Sequence, residues 1–199
     1  RGTITLTSTQ NSKENYGMIS AGGERAQIDN DGIINLNGYD YAASKEVGYG
    51  MSIGDGRANN NNTININRMY GYGMASTEGT LTNNGTINLT NGGYGIMGES
   101  GESFNNKDAT ITITGTPNMQ NSYGMSMQDG TAKNFGQIDV TGGSVNSETY
   151  GISVNGGNGL NHGLINMHSD NAFGLFDEGD GEITNVAGGT INLYGNNSV

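Results

Sequence analysis

Gly85-Thr86-Ile87-Asn88-Leu89-Thr90-Asn91-Gly92-Gly93-Tyr94-Gly95-Ile96 is the stretch on which the reading of this chain turns. Two short phrases of strand character, Ile87-Asn88-Leu89 and Tyr94-Gly95-Ile96, are joined in it by a turn of Asn and Gly. Just upstream, Leu81-Thr82-Asn83 runs through Asn84-Gly85 into Ile87 and makes a third phrase with its own turn. Three short strands separated by tight turns describe one coil of a β-solenoid, provided that the set recurs.

It does recur. The first phrase appears eight times, starting at Ile4, Ile34, Ile64, Ile87, Ile111, Ile138, Ile165 and Ile191, with successive copies 23 to 30 residues apart. The second appears seven times, at Tyr16-Gly17-Met18, Tyr49-Gly50-Met51, Tyr72-Gly73-Met74, Tyr94-Gly95-Ile96, Tyr123-Gly124-Met125, Tyr150-Gly151-Ile152 and Phe173-Gly174-Leu175. The third is weaker: Ile28-Asp29-Asn30, Ala58-Asn59-Asn60, Leu81-Thr82-Asn83, Phe104-Asn105-Asn106, Ala132-Lys133-Asn134, Gly159-Leu160-Asn161 and Ile183-Thr184-Asn185. Within the first phrase, period-two alternation sends Ile and Leu to one face and the central Asn, Thr or Asp to the other. No stretch offers helical spacing free of Gly and β-branched residues, so no helix is expected.

The pattern predicts an all-β chain folded as a right-handed parallel β-helix (β-solenoid) of about seven three-stranded coils, with residues 1–199 as one repeat segment. At about 4.8 Å per rung such a rod is about 34 Å long. Stacking in register places Ile over Ile and Tyr over Tyr. It also gathers Asn30, Asn60, Asn83, Asn106, Asn134, Asn161 and Asn185 into one column whose amides form a ladder. Propeller blades, at about 40 residues, and leucine-rich repeats fit the spacing less well.

Composition agrees with a thin core. Only 32% of the 199 residues are apolar, 36 are Gly, one is Pro, and there is no Cys or Trp. The apolar residues sit at repeating positions, which a disordered chain does not require. Net charge is −11, and the eight basic residues are scattered singly. Nucleic-acid binding and anionic membranes both call for basic patches, so neither is an expected partner. Absence of Cys removes disulfides, zinc–thiolate sites and thiol catalysis together. No apolar run is long enough to span a bilayer, and no signal peptide begins at Arg1. The ends carry no polar cap, so a segment of a longer protein is expected.

Loop length separates the coils. Ile87 reaches Tyr94 in 7 residues, yet Ile34 reaches Tyr49 in 15, and Ile4, Ile111 and Ile138 reach their next Tyr in 12. Insertions gather at this one corner, as Gln10 to Asn15, Asn37 to Gly48, Gly115 to Ser122 and Gly142 to Thr149. A solenoid lines such insertions along one edge, and that edge is a common binding face. The candidate binding-edge residues are Asn37, Tyr39, Asp40, Tyr41, Lys45, Glu46, Asn118, Gln120, Asn146 and Glu148.

Catalytic and metal-binding constellations are sparse. His162 and His168 are separated by about 20 Å if the chain between them is extended, and His162 occupies an Asn-like turn position beside Gly163. His168 and Asp170 form a possible surface pair. The acidic run Asp177-Glu178-Gly179-Asp180-Gly181-Glu182 matches no Ca²⁺ loop template. The recurring Met reads as core packing, since it alternates with Ile and Leu. No catalytic residue, metal ligand or cofactor is assigned. Asp139 is the one carboxylate at the outward centre of a first phrase, too little for a polysaccharide-cleaving site.

The Asn-Asn-Gly-Thr-Ile-Asn-Leu phrase at Asn83 to Leu89, its variants at Asp31 to Leu36 and His162 to Met167, and the Tyr-Gly-Met phrase resemble passenger repeats of Gram-negative autotransporter adhesins. The likeness covers essentially the whole chain. It implies a β-helical stalk exported by type V secretion and displayed on the cell surface. The anchor would be a C-terminal outer-membrane barrel outside this sequence. Adhesion or aggregation through a host or bacterial cell-surface protein or glycan is the implied role. No catalytic activity is expected. A carbohydrate-active β-helix and a pure spacer are the alternatives.

Overall fold

A computed structural model describes residues 2–8, 13–23, 25–38, 46–115, 121–142 and 147–199. Among these residues there is no helix; the chain winds through three parallel sheets as a β-solenoid with three strands per turn. The Ile sheet has eight strands, from Thr3–Thr7 to Thr190–Leu193. The Tyr sheet has seven, from Glu14–Ser20 to Ala172–Asp177, and the Asn sheet seven, from Gln27–Asn30 to Glu182–Asn185. Every strand pairs with its counterpart one coil on, so a residue meets its own repeat equivalent above and below.

Register follows the repeated phrases. All eight Ile that open the first phrase form one column, and the Tyr column runs unbroken from Tyr16 to Phe173. Inside, Ile34, Ile64, Ile87, Ile111, Ile138 and Ile165 are wholly inaccessible, with Leu36, Ile66, Leu89, Ile113, Val140 and Met167 in the neighbouring column. Burying an aliphatic side chain of this size stabilises by about 1.5–3 kcal/mol. The outward Asn35, Asn65 and Asn88 form their own amide chain, with links of 2.8 Å.

Why Gly follows each Tyr is answered by the packing. The Tyr strands place two consecutive residues, Gly and then Met or Ile, on the inside, so Gly50 and Met51 are both buried. A Cβ built on Gly50 would lie 2.4 Å from Ile64 Cγ2 and 2.5 Å from the carbonyl oxygen of Gly73. The same collision, at 2.3 to 2.7 Å from an Ile Cγ2, recurs at Gly17, Gly73, Gly95, Gly124, Gly151 and Gly174. The bare Cα lets the Tyr sheet close onto the β-branched Ile column.

The Asn sheet corrects one alignment. Ser103, not Phe104, pairs with Leu81 and Ala132, so Asn105 rather than Asn106 enters the amide column. The inward position there is held by side chains of varied size, Ala58, Leu81, Ala132 and Gly159 among them. Ser103 fills it with its Oγ 3.2 Å from Met127 Sδ, while Phe104 turns outward beneath Lys133 Nζ, 5.1 Å from the ring centroid. The ladder then runs without a break: Asn30 Nδ2 donates to Asn60 Oδ1, and so on through Asn83, Asn105, Asn134, Asn161 and Asn185, each link 2.7 or 2.8 Å. Asn106 instead joins an exposed chain, donating to Asn84 Oδ1 at 2.7 Å.

Two substitutions test this packing by urea unfolding. Gly95→Ala, whose Cβ would meet Ile111 Cγ2 at 2.3 Å, should lower stability by about 1–3 kcal/mol. Asn105→Ala strands buried polar atoms on Asn83 and Asn134 and should cost at least about 1–3 kcal/mol, whereas Asn106→Ala should stay within about 0.5 kcal/mol. Equal effects at Asn105 and Asn106 would overturn the register.

Candidate functional site

The corner from the Ile sheet to the Tyr sheet is where coils differ most in length. Short versions reverse direction through left-handed residues: Arg68 at φ 63°, Gly92 at 82° and Asn171 at 52°. Long versions leave and rejoin the stack at well-bonded stems. Gly38 N donates to Asn67 O at 2.8 Å, and Asn67 Nδ2 donates to Asn37 Oδ1 at 3.1 Å. On the return, Val47 N donates to Lys13 O at 2.9 Å. Gly115 N to Thr141 O, 2.7 Å, and Ser122 N to Glu148 O, 3.2 Å, frame two further insertions.

Of the ten candidate edge residues, Tyr39, Asp40, Tyr41, Lys45, Asn118, Gln120 and Asn146 lie outside the described residues. Asn37 is half-buried in an amide pair with Asn67. Glu46 is fully buried and accepts a hydrogen bond from Ser8 Oγ at 2.6 Å, so it secures a loop stem instead of facing a ligand. Glu148 is exposed; its backbone N–H donates to Asn121 Oδ1 at 3.0 Å, and its carboxylate accepts from the Tyr150 hydroxyl.

Beside this corner runs the Tyr column. Tyr16, Tyr49, Tyr72, Tyr94, Tyr123, Tyr150 and Phe173 stack face to face, with centroids 4.5 to 5.3 Å apart and planes within 15°. Tyr70 caps Tyr72 and Tyr94 edge-on and donates its hydroxyl proton to Asn121 O at 2.8 Å. Burial raises the ionisation range of the Tyr70, Tyr94 and Tyr150 phenols, and at Tyr150 the Glu148 carboxylate adds to it. A shallow groove of about 370 Å³ follows the column, lined by Tyr16, Tyr49 and Tyr72 together with Ala75, Met97 and the exposed Ile19.

The remaining polar groups are spent on structure. Asp139 accepts from Gln137 Nε2 at 2.6 Å and from Asn166 Nδ2 at 2.7 Å. His168 stacks on Tyr194 at 4.3 Å, and Asp170 accepts from Asn196, so the two do not form the surface pair that their spacing allowed. Asp177 Oδ1 caps the acidic turn by accepting from Gly179 N at 3.0 Å. Among the described residues no group of three or more His, Cys, Asp or Glu could hold a metal ion.

Sequence reasoning missed the Tyr70 cap, which has no repeat equivalent to announce it. At the Asn-to-Ile corner the phrases read as 6 residues apart in five coils, 7 in one and 8 in another; counted from Ser103 the 7 becomes 8, equal to Ile183 to Ile191. No protein-family model, no curated protein and no solved structure matches the chain.

The Tyr column sets a pH dependence. Folded phenols ionise above the unfolded range of about 10, so above that pH the unfolded chain holds fewer protons than the folded one. Stability is therefore complete below about pH 10 and falls as pH rises further. Urea midpoints measured from pH 8 to 11.5 should decline at the alkaline end, less steeply in Tyr70→Phe; a flat profile would contradict the burial of these phenols.

Proposed function

We propose that this chain is a surface-displayed adhesive or stalk segment that presents loops along one edge of a rigid β-solenoid. The partner is a protein or glycan on a host or neighbouring bacterial cell. One observation carries the reading: coils that stack in strict register throughout, set against the longest insertions, which fall between hydrogen-bonded stems at the Ile-to-Tyr corner. A parallel ladder on either side of each stem fixes where the loop departs, so the rod controls loop position without constraining loop sequence. The resemblance to autotransporter passengers gives the same role. Catalysis through Asp139 is disfavoured, because both its carboxylate oxygens are held by amide donors.

The test is adhesion of the purified chain to epithelial monolayers and to bacterial cells. Replacing residues 39–45 and 143–146 by short Gly-Ser links should lower cell binding at least tenfold, with the circular dichroism spectrum unchanged. Binding that survives both replacements would sink the edge assignment. A folded chain that binds no surface would be a spacer.

A further inference from the structure

At the corner from the Asn sheet to the Ile sheet, two coils carry a two-residue extension. Asn106–Ala109 and Val186–Gly189 each close a tight turn, with Ala109 N donating to Asn106 O at 3.0 Å and Gly189 N to Val186 O at 2.8 Å. Asp108 and Gly188 take the left-handed conformation at the third turn position, φ 68° and 96°. Two coils with minimal corners, Phe135-Gly136 and His162-Gly163, lie between these turns. The outcome is an open notch of about 450 Å³, a volume within the range of small-molecule sites, flanked by Lys107, Asp108 and Ala109 at one end and by Gly188 at the other.

Its interior departs from the repeat. Upstream, the same corner position holds Asp31, Asn61, Asn84 and Asn106, joined by amide hydrogen bonds of 2.7 to 2.9 Å. Inside the notch that chain stops and Phe135 and His162 take over, stacked at 4.7 Å with planes 13° apart. Phe135 is 40% exposed and lies outside the hydrophobic core. An exposed ring where the repeat supplies an amide, and only between two raised turns, is what a ligand contact requires.

We infer that the notch binds the end of a neutral oligosaccharide. Along its rim Lys107 offers donors, Asp108 acceptors, and Thr110 and Thr190 hydroxyls that do both. This mixture of opposite charges and hydroxyls suits an uncharged polyol better than an anion or a cation. The apolar face of a pyranose ring rests against Phe135 and Leu164. Peptide binding by strand addition is not available here. Gln137 N, Leu164 N and Thr190 N are already bonded to Ala109 O, Gly136 O and Gly163 O at 2.9 Å each, so no free backbone edge opens into the notch.

This site occupies a different corner from the loop edge and does not rest on the adhesive reading. The folded chain, applied to an array of defined neutral and acidic oligosaccharides, should bind neutral members. Titration calorimetry with those members should show at least a tenfold loss of affinity for Phe135→Ala combined with His162→Ala. Lys107→Ala with Asp108→Asn should weaken the same ligands, a second route should the ring variants unfold. Replacing residues 39–45 and 143–146 should leave this binding unchanged. Absence of saccharide binding, binding of acidic members or peptides alone, or affinity that survives both sets of notch substitutions would overturn the proposal.

Discussion

A buried carboxamide must be hydrogen-bonded, and here the partner it needs is its own equivalent one coil away. That single requirement holds the solenoid in register. Asn60, Asn83, Asn105, Asn134 and Asn161 are wholly inaccessible to solvent, and each amide bridges to the next. Leaving one such group unmatched costs about 1–3 kcal/mol, a cost that a slipped register would repeat at many rungs. Apolar columns alone would tolerate more slippage, because hydrophobic burial is not directional.

With register fixed from inside, the corners become free to vary. Glycine at the Gly50 type of position seals the Tyr sheet against the Ile column, and side-chain choice outside that seam is loosely constrained. The outward rows show this: Asn, Thr, Asp and Gln alternate on the Ile sheet, and Phe104, Thr82 and Lys133 share one row of the Asn sheet. Rod and display surface thus draw on different residues, and loops or exposed rings can change with little effect on the stack.

The columns most legible in the sequence were those whose residue type never changes role. Every Ile of the first phrase fell where period-two alternation put it, and the aromatics of the second stacked as the repeat put them. In the second phrase that alternation breaks, because Gly and the following Met or Ile both face inward. Phe104 misled because apolarity was read as inwardness, while Ser103 takes the inward place between Leu81 and Ala132 and carries Asn105 into the amide column. The same error hid the extended turn at Asn106–Ala109 by making the spacing look like 7 instead of 8. Glu46 was read as a loop residue because charged side chains seldom enter cores. Its partner, Ser8, lies 38 residues away and was not visible in any local pattern.

The direction of the amide links has a further electrostatic effect. In the buried column each donor points from one coil toward the next in chain order, from Asn30 to Asn185. On the outer face of the Ile sheet the order is reversed, with Asn88 donating back to Asn65 and Asn65 to Asn35. The exposed corner chain from Asn106 to Asp31 is reversed as well. Aligned amides polarise one another along a column, and columns of opposite sense cancel at a distance. Each column is therefore cooperative within itself, while their dipole fields oppose one another along the solenoid axis.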